Sequence, residues 1–233
     1  MKKYWLIFLS IAILSPAWAA DFGAYQLNLP SKDIVSGPQL YINHRFLGPV
    51  SDLYNTLGED LGANMSVGFG LPLNQQLEAA LFRSVMDKTY LLSGKCKIGD
   101  QATLFLAAAA KTASGITANK TSGIIGGIFT FPLRNIDLGV VPAIAASDST
   151  AYTIGLITNI PFNQKLGTII EYTPVLGSQT GRFPVISAGI KYHIAVHYFT
   201  LMLTNSTYSS FDEVIRGSTD NMVHLGLNIV VMF

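Results

Sequence analysis

The sequence predicts an all-β protein: a single antiparallel transmembrane β-barrel of about twelve strands that follows a cleaved signal peptide. Three observations predict this fold. The chain begins with an export signal, the rest of it is apolar without a run long enough for a membrane helix, and its last strand ends on an aromatic residue. Charged residues make up only 12% of the chain, about half of the usual share in a soluble domain. A membrane helix would need about 18 consecutive apolar residues.

The N-terminus has the three parts of a secretory signal peptide. Basic Lys2 and Lys3 precede an apolar run over 4–14, and small residues follow up to Ala20. We predict cleavage after Ala19 and export through the Sec pathway, with an N-terminal anchor helix as the alternative. Loss of the two lysines takes the basic count from 15 to 13 against 14 acidic residues. This balance gives no indication of a nucleic-acid partner.

Residues 20–37 are predicted to be a periplasmic lead-in or, alternatively, a plug that folds up into the barrel. They contain Pro30 and a polar Ser31-Lys32-Asp33 stretch. The barrel itself is assigned to residues 38–233.

A repeated turn sequence divides the barrel region. Leu71-Pro72-Leu73-Asn74-Gln75-Gln76-Leu77 returns as Ile160-Pro161-Phe162-Asn163-Gln164-Lys165-Leu166. Proline and asparagine favour tight turns and are excluded from central strands. With further turns near 99, 132 and 194, the spacing of about thirty residues is that of one hairpin plus an opposite loop.

Alternating apolar runs between these turns predict twelve strands, and an even count places both ends of the barrel chain on the same side of the membrane. The predicted strands are 38–47, 61–71, 76–86, 88–98, 101–111, 122–131, 136–147, 151–160, 165–174, 184–193, 197–206 and 222–233. The connections on the opposite side, at 48–60, 112–121, 175–183 and 207–221, are longer and richer in Gly, Ser, Asp and Thr. They are predicted to be the surface loops.

Aromatic residues on the predicted lipid face fall at the two ends of the strands, as in the aromatic girdles of outer-membrane barrels. The turn side has Phe69, Phe131, Tyr192, Phe199 and Phe233, and the loop side has Phe46, Tyr90, Tyr152 and Tyr172. The alternative explanation is the general preference of aromatic residues for strands.

The last strand has one apolar face that ends on the terminal aromatic residue. Its outward positions include Leu227, Ile229, Val231 and Phe233. We predict that these four residues form the signal that the barrel-assembly machinery recognises, by resemblance to other barrels.

Several short blocks together resemble an uncharacterised family of bacterial outer-membrane β-barrel proteins, known as a domain of unknown function. The blocks are His44-Arg45-Phe46, Leu61-Gly62-Ala63-Asn64-Met65, Phe82-Arg83-Ser84 with Lys88-Thr89-Tyr90, Leu203-Thr204-Asn205-Ser206 and Leu225-Gly226-Leu227-Asn228. They run from His44 to the C-terminus, with no aligned block over about 100–180. The resemblance implies architecture and a Gram-negative outer-membrane location, with no known activity.

No catalytic, cofactor or metal site is predicted, and we expect the protein not to be an enzyme. A barrel phospholipase would need a histidine beside a serine, and none of the four histidines is followed two residues later by serine. A serine from another strand keeps a lipid hydrolase as a minor alternative. Cys96 is the only cysteine, so an intrachain disulfide is excluded.

The strand alternation predicts a charged lumen. The inward positions include Arg45, Glu78, Lys95, Lys97, Lys111, Glu171, Lys191 and His193. Six potential cations against two carboxylates would favour anions in a water-filled lumen; the alternative is a closed lumen filled by ion pairs. Other inward positions are small and are expected to leave open space: Gly68, Ala80, Gly126, Gly139, Gly155, Gly167, Gly189 and Gly226.

The leading functional hypothesis is therefore a porin-like channel, or a binder, for small polar or anionic solutes. A non-conducting structural or surface-interaction barrel is the second hypothesis. Outer-membrane lipid and lipopolysaccharide are the predicted partners of the outer face, where Arg83 and Lys88 lie near the loop ends of their strands.

Overall fold

The computed structural model describes residues 27–52, 54–57, 59–86, 88–112, 120–177 and 181–233. The predicted signal peptide and its cleavage site lie outside these residues. Within the described ranges, no helix is long and apolar enough to cross a membrane.

Twelve antiparallel strands form one closed barrel, as predicted. They are β1 (Gln39–Pro49), β2 (Ala63–Pro72), β3 (Leu77–Ser84), β4 (Thr89–Lys97), β5 (Ala102–Lys111), β6 (Lys120–Leu133), β7 (Ile136–Ala146), β8 (Thr150–Pro161), β9 (Leu166–Thr173), β10 (Val185–Ile194), β11 (His197–Thr204) and β12 (His224–Met232). No boundary differs from its prediction by more than two residues. Each strand pairs with its neighbours in sequence, and β1 pairs with β12 to close the barrel, with Asn43 opposite Asn228.

Side chains alternate between the outer face and the interior because successive residues of a strand point to opposite sides. In β2, for example, Met65, Val67 and Phe69 are exposed whereas Asn64 and Ser66 are buried. The nine aromatic residues predicted for the girdles all have the outward parity of their strands. The outer face is thus apolar, as expected where it meets lipid.

The repeated sequence forms the same turn twice. The Asn74 side-chain oxygen accepts hydrogen bonds from the backbone N–H groups of Gln76 and Leu77, at 2.7 and 2.9 Å. Asn163 does the same for Lys165 and Leu166, at 2.8 and 2.9 Å. An asparagine that replaces backbone acceptors in this way is a common turn device.

Among the described residues at the opposite end of the barrel, one loop contains a helix. Helix α1 (Phe211–Ile215) lies within residues 205–220, hereafter the outer loop, and its Phe211, Val214 and Ile215 are buried. The loop between β1 and β2, hereafter the first loop, by contrast presents Tyr54 and Leu57 to the outside. The outer loop therefore folds inward, whereas the first loop stays on the surface.

Candidate functional site: the occluded barrel interior

The N-terminal described residues, 27–37, lie inside the barrel; we call them the inner segment. Their side chains and backbone contact strands from all around the wall, including β1, β3, β5, β9 and β12. Contacts in every direction are possible only for a segment within the barrel. Leu29 is fully buried and Leu27 and Val35 nearly so.

Leu27 and Asn28, hereafter the deep end of the inner segment, are bound by charged and amide side chains. The two carboxylate oxygens of Glu171 accept hydrogen bonds from the backbone N–H groups of Leu27 (2.6 Å) and Asn28 (2.8 Å). The Leu27 carbonyl accepts hydrogen bonds from Arg45 Nη2 (2.9 Å) and Asn228 Nδ2 (3.0 Å). These side chains supply the backbone partners that a buried irregular segment requires.

Residues 33–35 of the inner segment are bound by an ion pair. Lys95 Nζ lies 2.9 Å from a Glu78 carboxylate oxygen, with both side chains almost completely buried. Glu78 also accepts a hydrogen bond from the Val35 N–H (3.0 Å), and Lys95 donates one to the Asp33 carbonyl (2.7 Å). Each charged group thus has both an opposite charge and a backbone partner, as buried charges require.

Small residues in the wall make room for the inner segment and for large neighbours. A Cβ at Gly155 would lie 2.7 Å from Leu29 Cδ1, and one at Gly189 would lie 3.0 Å from Leu27 Cδ2. At Gly68 and Gly126 a Cβ would collide with the rings of Phe82 and Phe105. The expectation that inward glycines leave open space is therefore wrong at these positions, because neighbouring side chains fill it.

The outer loop closes the other end of the barrel. Asn64 donates a hydrogen bond to the Thr207 carbonyl (3.1 Å), and Arg216 donates one to the Ser149 carbonyl (3.1 Å). Lys111 Nζ lies 3.4 Å from Glu213. Since these partners are on β2, β5 and the β7–β8 turn, the loop spans the mouth.

A small cavity remains between the inner segment and the outer loop. Its volume open to the centre of a water-sized sphere is ≈ 30 Å³. Arg45 and the side chains of several serine, threonine and asparagine residues line it, together with the apolar Phe82, Leu91 and Phe211.

The eight ionisable residues predicted for the lumen divide into two groups. Arg45, Glu78, Lys95, Glu171 and Lys191 are no more than 5% exposed. Lys97, Lys111 and His193 lie at strand ends: Lys97 is 3.9 Å from Asp100, Lys111 contacts Glu213, and the His193 ring stacks on Tyr198 with centroids 4.1 Å apart. Four members of the first group, Arg45, Glu78, Lys95 and Glu171, hydrogen-bond the inner segment.

Sequence reasoning missed the residues of the outer loop that face the cavity. Ser209 and Ser210 belong to a polar stretch typical of an exposed loop, and the only signal for burial is the apolar pattern of Phe211, Val214 and Ile215 that follows. Asn28, which donates a hydrogen bond to Ser187 Oγ (2.7 Å), was also not singled out.

The histidines do not form a catalytic arrangement with serine among the described residues. His224 hydrogen-bonds the Gly48 carbonyl and lies 3.2 Å from Asp220, and His193 contacts the Ala195 carbonyl at 2.7 Å. In the same part of the chain, no group of three His, Cys, Asp or Glu side chains could hold a metal ion. The expectation that the protein is not an enzyme stays a prediction.

Comparison with known families confirms the resemblance found in the sequence. Residues 137–233 match a family described as "Membrane bound beta barrel domain", a domain of unknown function. The matched range begins in β7, so it covers the blocks at 203–206 and 225–228 but not those before residue 91. It also covers much of the region in which no block could be aligned. No curated protein matches the chain by sequence.

Solved structures with a similar fold are outer-membrane barrels. The KdgM porin has a TM-score of 0.57 at 8% identity, over 84% of this chain and 99% of that chain. The same porin in complex with disordered oligogalacturonate has a TM-score of 0.56 at 7% identity, over the same shares. Omp33 from Acinetobacter baumannii has a TM-score of 0.50 at 11% identity, over 84% of this chain and 98% of that one. At such identities the likeness concerns the fold alone.

Proposed function

We propose that the protein is a porin-like outer-membrane barrel for small polar solutes, with a preference for anions, and that its inner segment and outer loop close it at rest. The observation that carries this proposal is the polar attachment of the inner segment. Four buried charged side chains hold the inner segment through hydrogen bonds: Arg45, Glu78, Lys95 and Glu171. Apolar contacts would close a barrel at a lower desolvation cost.

Polar contacts of this kind suit a segment that has to leave its site. Water can replace a hydrogen bond to a carboxylate or ammonium group when the segment moves, so release exposes a hydrophilic wall instead of an apolar one. Arg45, Lys95 and Lys191 would then face water together with Glu78 and Glu171. This excess of positive charge supports the preference for anions.

Fold likeness to the KdgM porin supports the same class of function. A structure of that porin is a complex with oligogalacturonate, so a barrel of this architecture can hold a small solute. We extend only the class, a porin for a small polar solute, to the present chain.

Planar-bilayer recording of the purified mature chain tests the proposal. The unmodified chain should be closed for most of the time, with openings that favour chloride over potassium. Gly155→Leu should raise the open probability at least tenfold, because its side chain occupies the space of Leu29 without any change of charge. Gly123→Leu is the matched control, since Gly123 has open space around its Cβ direction.

A Gly155→Leu barrel that conducts no current, although it is correctly folded and its inner segment is released, would overturn the channel proposal. The second candidate, a non-conducting structural or surface-interaction barrel, would then account for the closure of the lumen at both ends. That candidate is favoured by the inward-folded outer loop, which a channel would also have to move.

We further propose that the protein resides in the outer membrane after Sec export and assembly by the barrel-assembly machinery. The apolar outer face supports contact with lipid and lipopolysaccharide. Arg83, which lies over the Tyr90 ring at 5.4 Å, is on the exposed parity near the loop end of β3. A guanidinium at this level suits the phosphates of lipopolysaccharide.

A further inference from the structure

The cavity between the inner segment and the outer loop has the chemistry of an anion site. Among the side chains that line it are Arg45, Asn28, Asn43, Ser66 and Ser210, and the described residues of its lining include no carboxylate. A guanidinium, amides and hydroxyls offer hydrogen-bond donors. With the positive charge of Arg45, such a lining favours an anion over a cation.

In the part of the chain that the structure describes, no carboxylate contacts Arg45 directly. Its Nη1 donates to the His44 carbonyl (3.1 Å) and Asn228 Oδ1 (2.7 Å), and its Nη2 donates to the Leu27 carbonyl (2.9 Å) and Asn28 Oδ1 (3.1 Å). All four acceptors are neutral. Arg45, which is only 1% exposed, is therefore solvated by neutral dipoles in its direct contacts.

Two buried donors at the cavity have no hydrogen-bond partner among the described residues. They are Arg45 Nε and Ser210 Oγ, and the Ser210 residue is 5% exposed. Ser210 precedes α1 without capping it through its side chain. Since buried polar groups are almost always hydrogen-bonded, both atoms indicate that something polar occupies the cavity.

The size of the cavity limits the occupant. Since ≈ 30 Å³ is open to the centre of a water-sized sphere, the cavity holds only a few water-sized particles. A monatomic halide fits within this space.

We propose that this cavity binds a single halide ion, chloride under ordinary conditions, between Arg45 Nε and Ser210 Oγ. The ion gives Arg45 an anionic partner and joins the inner segment to the outer loop. This inference concerns the closed barrel and does not depend on conduction. If the barrel binds a halide but never opens, this inference stands and the proposed function fails.

Crystals of the full mature chain grown in sodium bromide provide the direct test. Data collected at the bromine absorption edge should show an anomalous peak within hydrogen-bond distance of Arg45 Nε and Ser210 Oγ. Water density without an anomalous peak, or bromide only elsewhere on the barrel, would overturn the proposal.

Thermal unfolding in detergent gives a second test in solution. At constant ionic strength, replacement of gluconate, which is too large for the cavity, by chloride should raise the Tm by about 3 °C at tenfold excess over the dissociation constant. Ser210→Asp should remove this dependence, because its carboxylate would take the place of the ion beside Arg45. Ser122→Asp, at a buried serine outside the cavity lining, should keep it. Equal Tm values for the unmodified chain in both salts would contradict halide binding.

Discussion

Lys95 and Glu78 form an ion pair of 2.9 Å inside the barrel, on the adjacent strands β4 and β3, and each also binds the backbone of the inner segment. The pair therefore joins the wall to the segment that closes it. Its burial makes its energetics different from those of the exposed Lys120–Asp148 pair, which is separated by 3.1 Å.

Removal of one member of the buried pair should strongly destabilise the barrel. We expect Lys95→Met to lower the free energy of unfolding by about 3–5 kcal/mol, because Glu78 is left as a buried charge without its partner. Urea titration in lipid vesicles measures this. Lys120→Met should cost less than about 1 kcal/mol, and the double variant Lys95→Met/Glu78→Gln should recover part of the loss. A single variant as stable as the unmodified chain would contradict the role of the pair.

Glu171 should control the order of the deep end of the inner segment. In Glu171→Gln one of the two acceptor oxygens becomes an amide nitrogen, so the Leu27 or the Asn28 N–H loses its partner. We expect amide hydrogen exchange at these two residues to become about tenfold faster. Glu59→Gln, in the exposed first loop, is the control and should leave both rates unchanged. Unaltered exchange in Glu171→Gln would show that the carboxylate does not hold the segment.

The two repeated turns should respond alike to the same substitution. Asn74→Ala and Asn163→Ala each remove an oxygen that accepts two backbone hydrogen bonds. Each should lower the free energy of unfolding by about 1 kcal/mol. Equilibrium unfolding with the exposed Gln75→Ala as control measures the effect. A loss of stability at only one of the two turns would mean that the turns contribute differently to the free energy of unfolding, although their sequences are alike.

Phe233 should matter for assembly more than its exposed position suggests. Its backbone N–H donates to the Pro38 carbonyl at 2.9 Å beside the β1–β12 seam, and 73% of the residue is exposed. We expect deletion of Phe233 to reduce the amount of protein assembled in the outer membrane several-fold. Deletion of Glu59 from the first loop provides a truncation of equal length, and heat-modifiable mobility on gels distinguishes folded from unfolded barrel. Normal assembly without Phe233 would refute its role as a recognition signal.

Sequence alone was sufficient for the barrel. The strands could be located because each one separates an apolar outer face from the interior with a period of two, and lipid requires that face to be continuous. The turns could be located because Asn74 and Asn163 act through hydrogen bonds to residues two and three positions away. Both signals are local, so a reading of neighbouring residues contains them.

Only the tertiary structure decided the state of the interior. Whether Gly155 leaves space or accommodates Leu29 depends on a residue 126 positions away, and whether Arg45 lines water or binds Leu27 depends on the path of the inner segment. Parity shows which side chains point inward but not what they meet there. The contacts that close the barrel join residues distant in sequence, and their partners become visible only when the strands have been brought around into a ring.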